Sequence, residues 1–120
     1  MYSMWLTGNL NIWLYSNPTD MRKSIDGLSI IVFEKLSKNP CDPDLFVFYN
    51  TAKNKLKILY YDKNGFCLWY KRLEKGRFLL PNLPEQDSYY LIIEKLRWLL
   101  DGLSIDKLHG NPELFFDTYY

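Results

Sequence analysis

The stretch KLKILYYDKNGFCLWYKR, residues 55 to 72, restricts the possible folds of this chain more than any other. Two runs rich in aromatic and branched residues flank a tip at Asn64-Gly65, a pattern that specifies a β-hairpin. An isolated hairpin is marginal in water, so the remaining residues must supply further strands and an apolar cover. Alternation puts Leu56, Ile58 and Tyr60 on one face of the outgoing strand, and Phe66, Leu68 and Tyr70 on one face of the returning strand. Burying both sets together sets Asp62 opposite Phe66, with Lys63, Asn64 and Gly65 as a three-residue loop and Gly65 left-handed in a bulge. The other face then carries Lys55, Lys57, Leu59 and Tyr61 beside Cys67, Trp69 and Lys71.

The flanking segments supply the partners that the hairpin needs. NIWLYS (11 to 16) is expected as a first strand, with Asn17-Pro18 as a turn and Thr19 as a helix N-cap. A helix over Asp20 to Ser37 follows, with Met21, Ile25, Leu28, Val32 and Leu36 as its buried stripe. Gly27 weakens that helix and points to a close approach there. LFVFYN (45 to 50) has the composition of a central strand. After the hairpin, a turn at Lys75-Gly76 leads to a short final strand, and a second helix is expected from Ser88 to Asp101, ended by Gly102. With 120 residues there is room for a single core, so residues 1 to 120 are expected as one domain. The fold class expected is α+β: a small antiparallel sheet of four to five strands with a central hairpin, packed with two main helices.

Charge is distributed unevenly. The net charge is +1, but residues 51 to 77 hold eight basic residues against Asp62 and Glu74. A basic segment in a nearly neutral chain points to a localised anionic partner. On the hairpin face that mixes lysines with rings, ammonium groups would meet phosphates and aromatic planes would stack on unpaired bases. The alternative leaves Leu59, Tyr61 and Trp69 under the second helix, with the lysines snorkelling at its rim. NPTDMRKSIDGL (17 to 28) offers a second contact, because it places Arg22 and Lys23 in a first helical turn. Cations there are disfavoured by about 0.3 to 1 kcal/mol, which Asp20 and an Arg22 to Asp26 pair at i, i+4 would offset in part. Together with the freed amides they would face a phosphate.

Signals for catalysis are absent from the sequence. There is no nucleophile elbow, no phosphate-cradling glycine loop and no metal-ligand spacing. Asp20, Asp26, Asp42, Asp44 and Asp62 are the carboxylates that two-metal phosphoryl chemistry would draw on, but turns, helix ends and surface account for them. No catalytic residue, metal or cofactor is expected, and the chain is read as a non-enzyme. Cys41 and Cys67 read as free thiols, and the N-terminus as neither signal peptide nor membrane span, which implies a cytoplasmic protein with no membrane partner. The apolar, acidic tail NPELFFDTYY reads as a frayed terminus or a docking peptide.

Three blocks in order, PTDMRKSIDGL, FVFYN and KLKILYYDKNGFCLWYKRLEKGRFLLP, resemble the TnpB (Orf2) accessory proteins of IS66-type bacterial insertion sequences. The resemblance covers about residues 11 to 105, and it concerns a family unrelated to the RNA-guided nuclease of the same name. It implies a protein needed for transposition, encoded beside a transposase, with no established catalytic residue and a role in binding DNA or assisting the transposase. Many members end in a short basic run, whereas this chain ends LHGNPELFFDTYY, so other residues must carry any DNA affinity. The residues assigned to DNA are Arg22, Lys23, Lys53, Lys55, Lys57, Tyr61, Trp69, Lys71, Arg72, Lys75 and Arg77. The partners implied are DNA at the element ends and the transposase. A protein–protein module that assists the transposase without touching DNA is the alternative. The sequence carries no signal for an oligomeric state.

Overall fold

In the computed structural model, which describes residues 10–102, a mixed five-stranded sheet lies between two helices. The elements run β1 (Ile12–Tyr15), α1 (Ile25–Glu34), β2 (Leu45–Tyr49), β3 (Lys55–Asp62), β4 (Gly65–Arg72), β5 (Ser88–Leu91) and α2 (Ile93–Leu100). The spatial order is β4-β3-β2-β1-β5, so LFVFY is the central strand, buried along its whole length. The class is α+β as expected, but one pair departs from the antiparallel expectation. β1 and β2 are parallel, with Ile12 beside Leu45. They are joined by α1, since parallel neighbours need a crossover connection.

Both faces of the sheet are covered. On one face Ile12, Leu14, Leu45, Val47, Leu56 and Ile58 pack with Leu96, Leu99 and Leu100 of α2. On the other, Phe46, Phe48 and Leu59 pack with Leu28 and Val32 of α1 and with Leu36 just past its end. The stripe read from the sequence is therefore the docking face of α1, with Met21 and Ile25 at its margin. Leu59 lies beneath α1 rather than α2. Strands buried on both faces lose the apolar-polar alternation that would reveal them.

The hairpin register differs from expectation by one residue. Asp62 faces Gly65, Leu59 faces Leu68 and Lys57 faces Tyr70. Lys63 takes a φ of +56°, and the Asn64 amide donates to the Asp62 carbonyl at 2.6 Å, so the turn closes over Lys63 and Asn64 alone. Gly65 is a strand residue and not the left-handed one. Because opposed residues share a face, Trp69 and Lys71 join Leu56 and Ile58 on the α2 side, while Lys55 and Lys57 join Tyr70 and Arg72 on the α1 side.

Two element boundaries also move. α1 begins at Ile25, with Ser24 rather than Thr19 as its N-cap. Thr19 is buried, and its amide donates to the Tyr49 carbonyl. Residues 88 to 91 form the edge strand β5 against β1, with Tyr89 beside Leu14, and α2 starts only at Ile93. Gly102, at φ +83°, ends α2 as expected. The short strand expected directly after Gly76 does not form; the next strand is β5. Residues 73 to 87 instead run irregularly from one sheet edge to the other, anchored by buried Phe78, whose amide donates to the Lys53 carbonyl at 2.7 Å. No helix among the described residues is long and apolar enough to cross a membrane. The tail NPELFFDTYY lies outside the described residues.

Candidate nucleic-acid interface

The start of β3 and the end of β4 project cations at one end of the sheet. Lys55 faces Arg72 and Lys57 faces Tyr70 on the same side. The β2–β3 turn that sets this end is held by Asn50. Its Oδ1 accepts from the amides of Asn54 (3.0 Å) and Lys55 (2.9 Å), and its Nδ2 donates to Asn54 Oδ1 at 2.7 Å. This clamp stabilises Lys53 at a φ of +60°, a conformation that lysine adopts only when its surroundings determine it. The Phe78 bond to Lys53 brings Arg77 alongside.

The loop before α1 forms the facing wall. Asp20 accepts from the Arg22 amide at 2.9 Å and pairs with the Arg22 guanidinium, Nη2 to Oδ2 at 2.7 Å and Nε to Oδ1 at 3.1 Å. Lys57 Nζ donates to the Met21 carbonyl at 2.8 Å and the Lys23 carbonyl at 2.9 Å. These bonds occupy the backbone groups of residues 20 to 23 and account for the late helix start. Arg22 and Lys23 therefore precede the helix instead of opposing its dipole, and Arg22 pairs with Asp20, not Asp26. Gly27 admits the close approach of the Lys23 stem, since a Cβ there would lie 3.2 Å from Lys23 Cβ.

The bond to Arg22 holds the Asp20 carboxyl at about 2, well under its usual 3.8. Carbon-detected NMR titration should place the Asp20 midpoint at about 2 and return it toward the usual value in Arg22→Ala. Because the folded pKa is the lower one, whatever the pair contributes is complete above the unfolded pKa and disappears as pH falls through the folded one.

Between these walls lies an open groove of about 670 Å³, lined by Arg22, Lys55, Tyr70, Asp20 and Thr51 among others. The Lys55 side chain has no ionic partner among the described residues, nor do those of Lys53, Lys75 and Arg77. Arg72 is paired with Glu74 at 3.1 Å. Eight of the eleven residues assigned from sequence thus fall at this end: Arg22, Lys23, Lys53, Lys55, Lys57, Arg72, Lys75 and Arg77.

Three do not. Tyr61 sits near the hairpin tip, edge-on to Phe66 with centroids 5.0 Å apart. Trp69 packs against the apolar cluster on the α2 side. Lys71 donates to the Leu100 carbonyl at 2.9 Å and so closes the C-terminus of α2. Lys71→Met should therefore destabilise the domain by about 1 kcal/mol or more, measured by urea unfolding, without changing any affinity for DNA. The sequence reading missed Tyr70. Alternation along the sequence puts it on the buried face, yet it is 48% exposed and lines the groove. Setting the hairpin with a two-residue turn would have placed it opposite Lys57.

The family described as IS66 Orf2 like protein matches residues 10–110. The chain is 37% identical over 95 residues to the uncharacterized protein y4hO of Sinorhizobium fredii, covering 79% of this chain and 82% of that one. It is 31% identical over 104 residues to the uncharacterized protein y4jC of the same organism, covering 86% and 87%. No solved structure matches the chain. The three sequence blocks, the hairpin they build and the extent of this match place the chain in the IS66 Orf2-like family of insertion-sequence accessory proteins.

Proposed function

We propose that this protein is a non-enzymatic cytoplasmic factor, required for transposition, that binds DNA through the basic end of its sheet and acts with the transposase of its element. One observation carries this reading: Arg22 of the loop before α1 and Lys55 at the start of β3 line one groove, at the sheet end where Arg72 lies beside Lys55 and the connector after β4 is tied to Lys53. Cations without an ionic partner among the described residues, Lys53, Lys55, Lys75 and Arg77, suit a phosphate backbone, whose neutralisation releases counterions. The experiment is a salt titration of binding to element-end and random duplexes, with and without the transposase. The logarithm of affinity should fall linearly with the logarithm of salt, by about 0.9 per phosphate contacted. Failure to shift either duplex or its separated strands at low salt overturns the reading.

A second observation favours direct contact with the transposase. Ile30 and Phe33, on the outer side of α1, are 55% and 71% exposed. Large apolar side chains so placed suit a protein partner. Retention of the transposase by a protein that shifts no DNA would select this reading.

A further inference from the structure

We propose that the groove seats an unpaired nucleotide, with its base on the Tyr70 ring and its phosphate at Lys55, so that the DNA recognised is single-stranded or locally melted. This rests on the DNA-binding reading above and narrows its substrate class. Tyr70 is a flat, nearly half-exposed ring on a rigid strand, within a groove of about 670 Å³. That volume falls in the range of small-ligand sites, roughly 300 to 1,000 Å³. In a duplex the base faces are stacked on one another and offer nothing to Tyr70, whereas an unpaired base presents a whole face to it.

The surroundings are built to hold the ring and attract the backbone. Lys57 Nζ, fixed by the Met21 and Lys23 carbonyls, stands 5.5 Å from the Tyr70 centroid, within cation–π range. The ring is thus positioned before any base arrives. Lys55, with no ionic partner among the described residues, lines the same groove. The carboxylate that would repel a phosphate there, Asp20, is matched by Arg22. Cation, ring and a neutralised wall form the combination that single-strand sites use without reading sequence.

The test measures fluorescence anisotropy with labelled oligo-dT and a random duplex, comparing wild type with Tyr70→Ala, Tyr70→Phe and Lys55→Ala, each checked for folding by circular dichroism. Tyr70→Ala should weaken oligo-dT by about tenfold or more and leave the duplex within about twofold, while Tyr70→Phe keeps both affinities. Lys55→Ala should weaken both. An equal loss on both DNAs in Tyr70→Ala, no loss on either, or a loss in Tyr70→Phe as large as in Tyr70→Ala overturns the stacking site while leaving DNA binding intact. If wild type binds neither DNA at low salt, the site and the DNA-binding reading fall together.

Discussion

The triple variant Lys55→Glu, Lys75→Glu, Arg77→Glu is expected to lose DNA binding by about a hundredfold or more at low salt, while its unfolding midpoint stays near that of wild type. None of the three side chains has an ionic partner among the described residues, so reversing their charge breaks no internal pair. If each meets one phosphate, the salt slope should fall by about 0.9 per residue removed, or nearly 3 in all. Electrophoretic shift across a salt series, with circular dichroism as control, measures both. The sequence reading would instead select Lys55, Lys57 and Lys71 from the hairpin. That set is confounded, because Lys57 holds the Met21 and Lys23 carbonyls and Lys71 closes α2. A carboxylate at position 57 would face two carbonyl oxygens and loosen the groove wall, mimicking a lost DNA contact. An unchanged affinity and slope in the triple variant rejects the basic end as the DNA site.

Phe46→Ala should destabilise the domain by about 3 to 5 kcal/mol, a large share of the roughly 5 to 15 kcal/mol that holds a domain together. Phe46 is fully buried on the central strand, flanked by Trp13 of β1 and Leu59 of β3 and facing Leu28 and Val32 of α1. Removing the ring leaves a cavity under α1, and backbone pairing on both sides of β2 prevents collapse into it. Urea unfolding gives the loss directly. A fall below about 1 kcal/mol would mean that α1 does not pack on the sheet as described. The same variant should weaken DNA binding indirectly, since the loop carrying Arg22 leads into α1.

Much of this was legible in the sequence, and the misreadings have physical causes. The hairpin, the central strand, the α1 stripe and Gly102 as a helix end follow from local chemistry, and the structure has them where that chemistry puts them. The register misled because the rule applied was one-sided burial, which favoured an even-numbered apolar face. With helices on both faces, Leu59 is as much core as Ile58 and Phe66 packs half-buried against the α1 side, and the tip is decided by the left-handed Lys63. β5 was absorbed into the helix because Tyr89, Ile92, Ile93 and Leu96 fit a helical period; pairing with β1 overrides that pattern. The late start of α1 depends on the Lys57 bond, a contact between distant segments that no local signal announces. Net charge over a segment survives an error of register, so most of the basic residues read from the sequence still gather at one end of the sheet. The assignment of the rings does not survive it, and Tyr70 was lost.

The pairing of β5 with β1 has a kinetic consequence. Ile12 and Leu91, almost at opposite ends of the described chain, are direct neighbours, whereas β2, β3 and β4 form a meander of short-range contacts. Closing so long a loop carries an entropic penalty that is recovered only when the edge strand docks, and such non-local pairing slows folding. The connector carrying Lys75 and Arg77 spans that closure. A ribosome must therefore release residues 88 to 91 before the first strand finds its second neighbour, and until then the connector is tethered only at the β2–β3 turn.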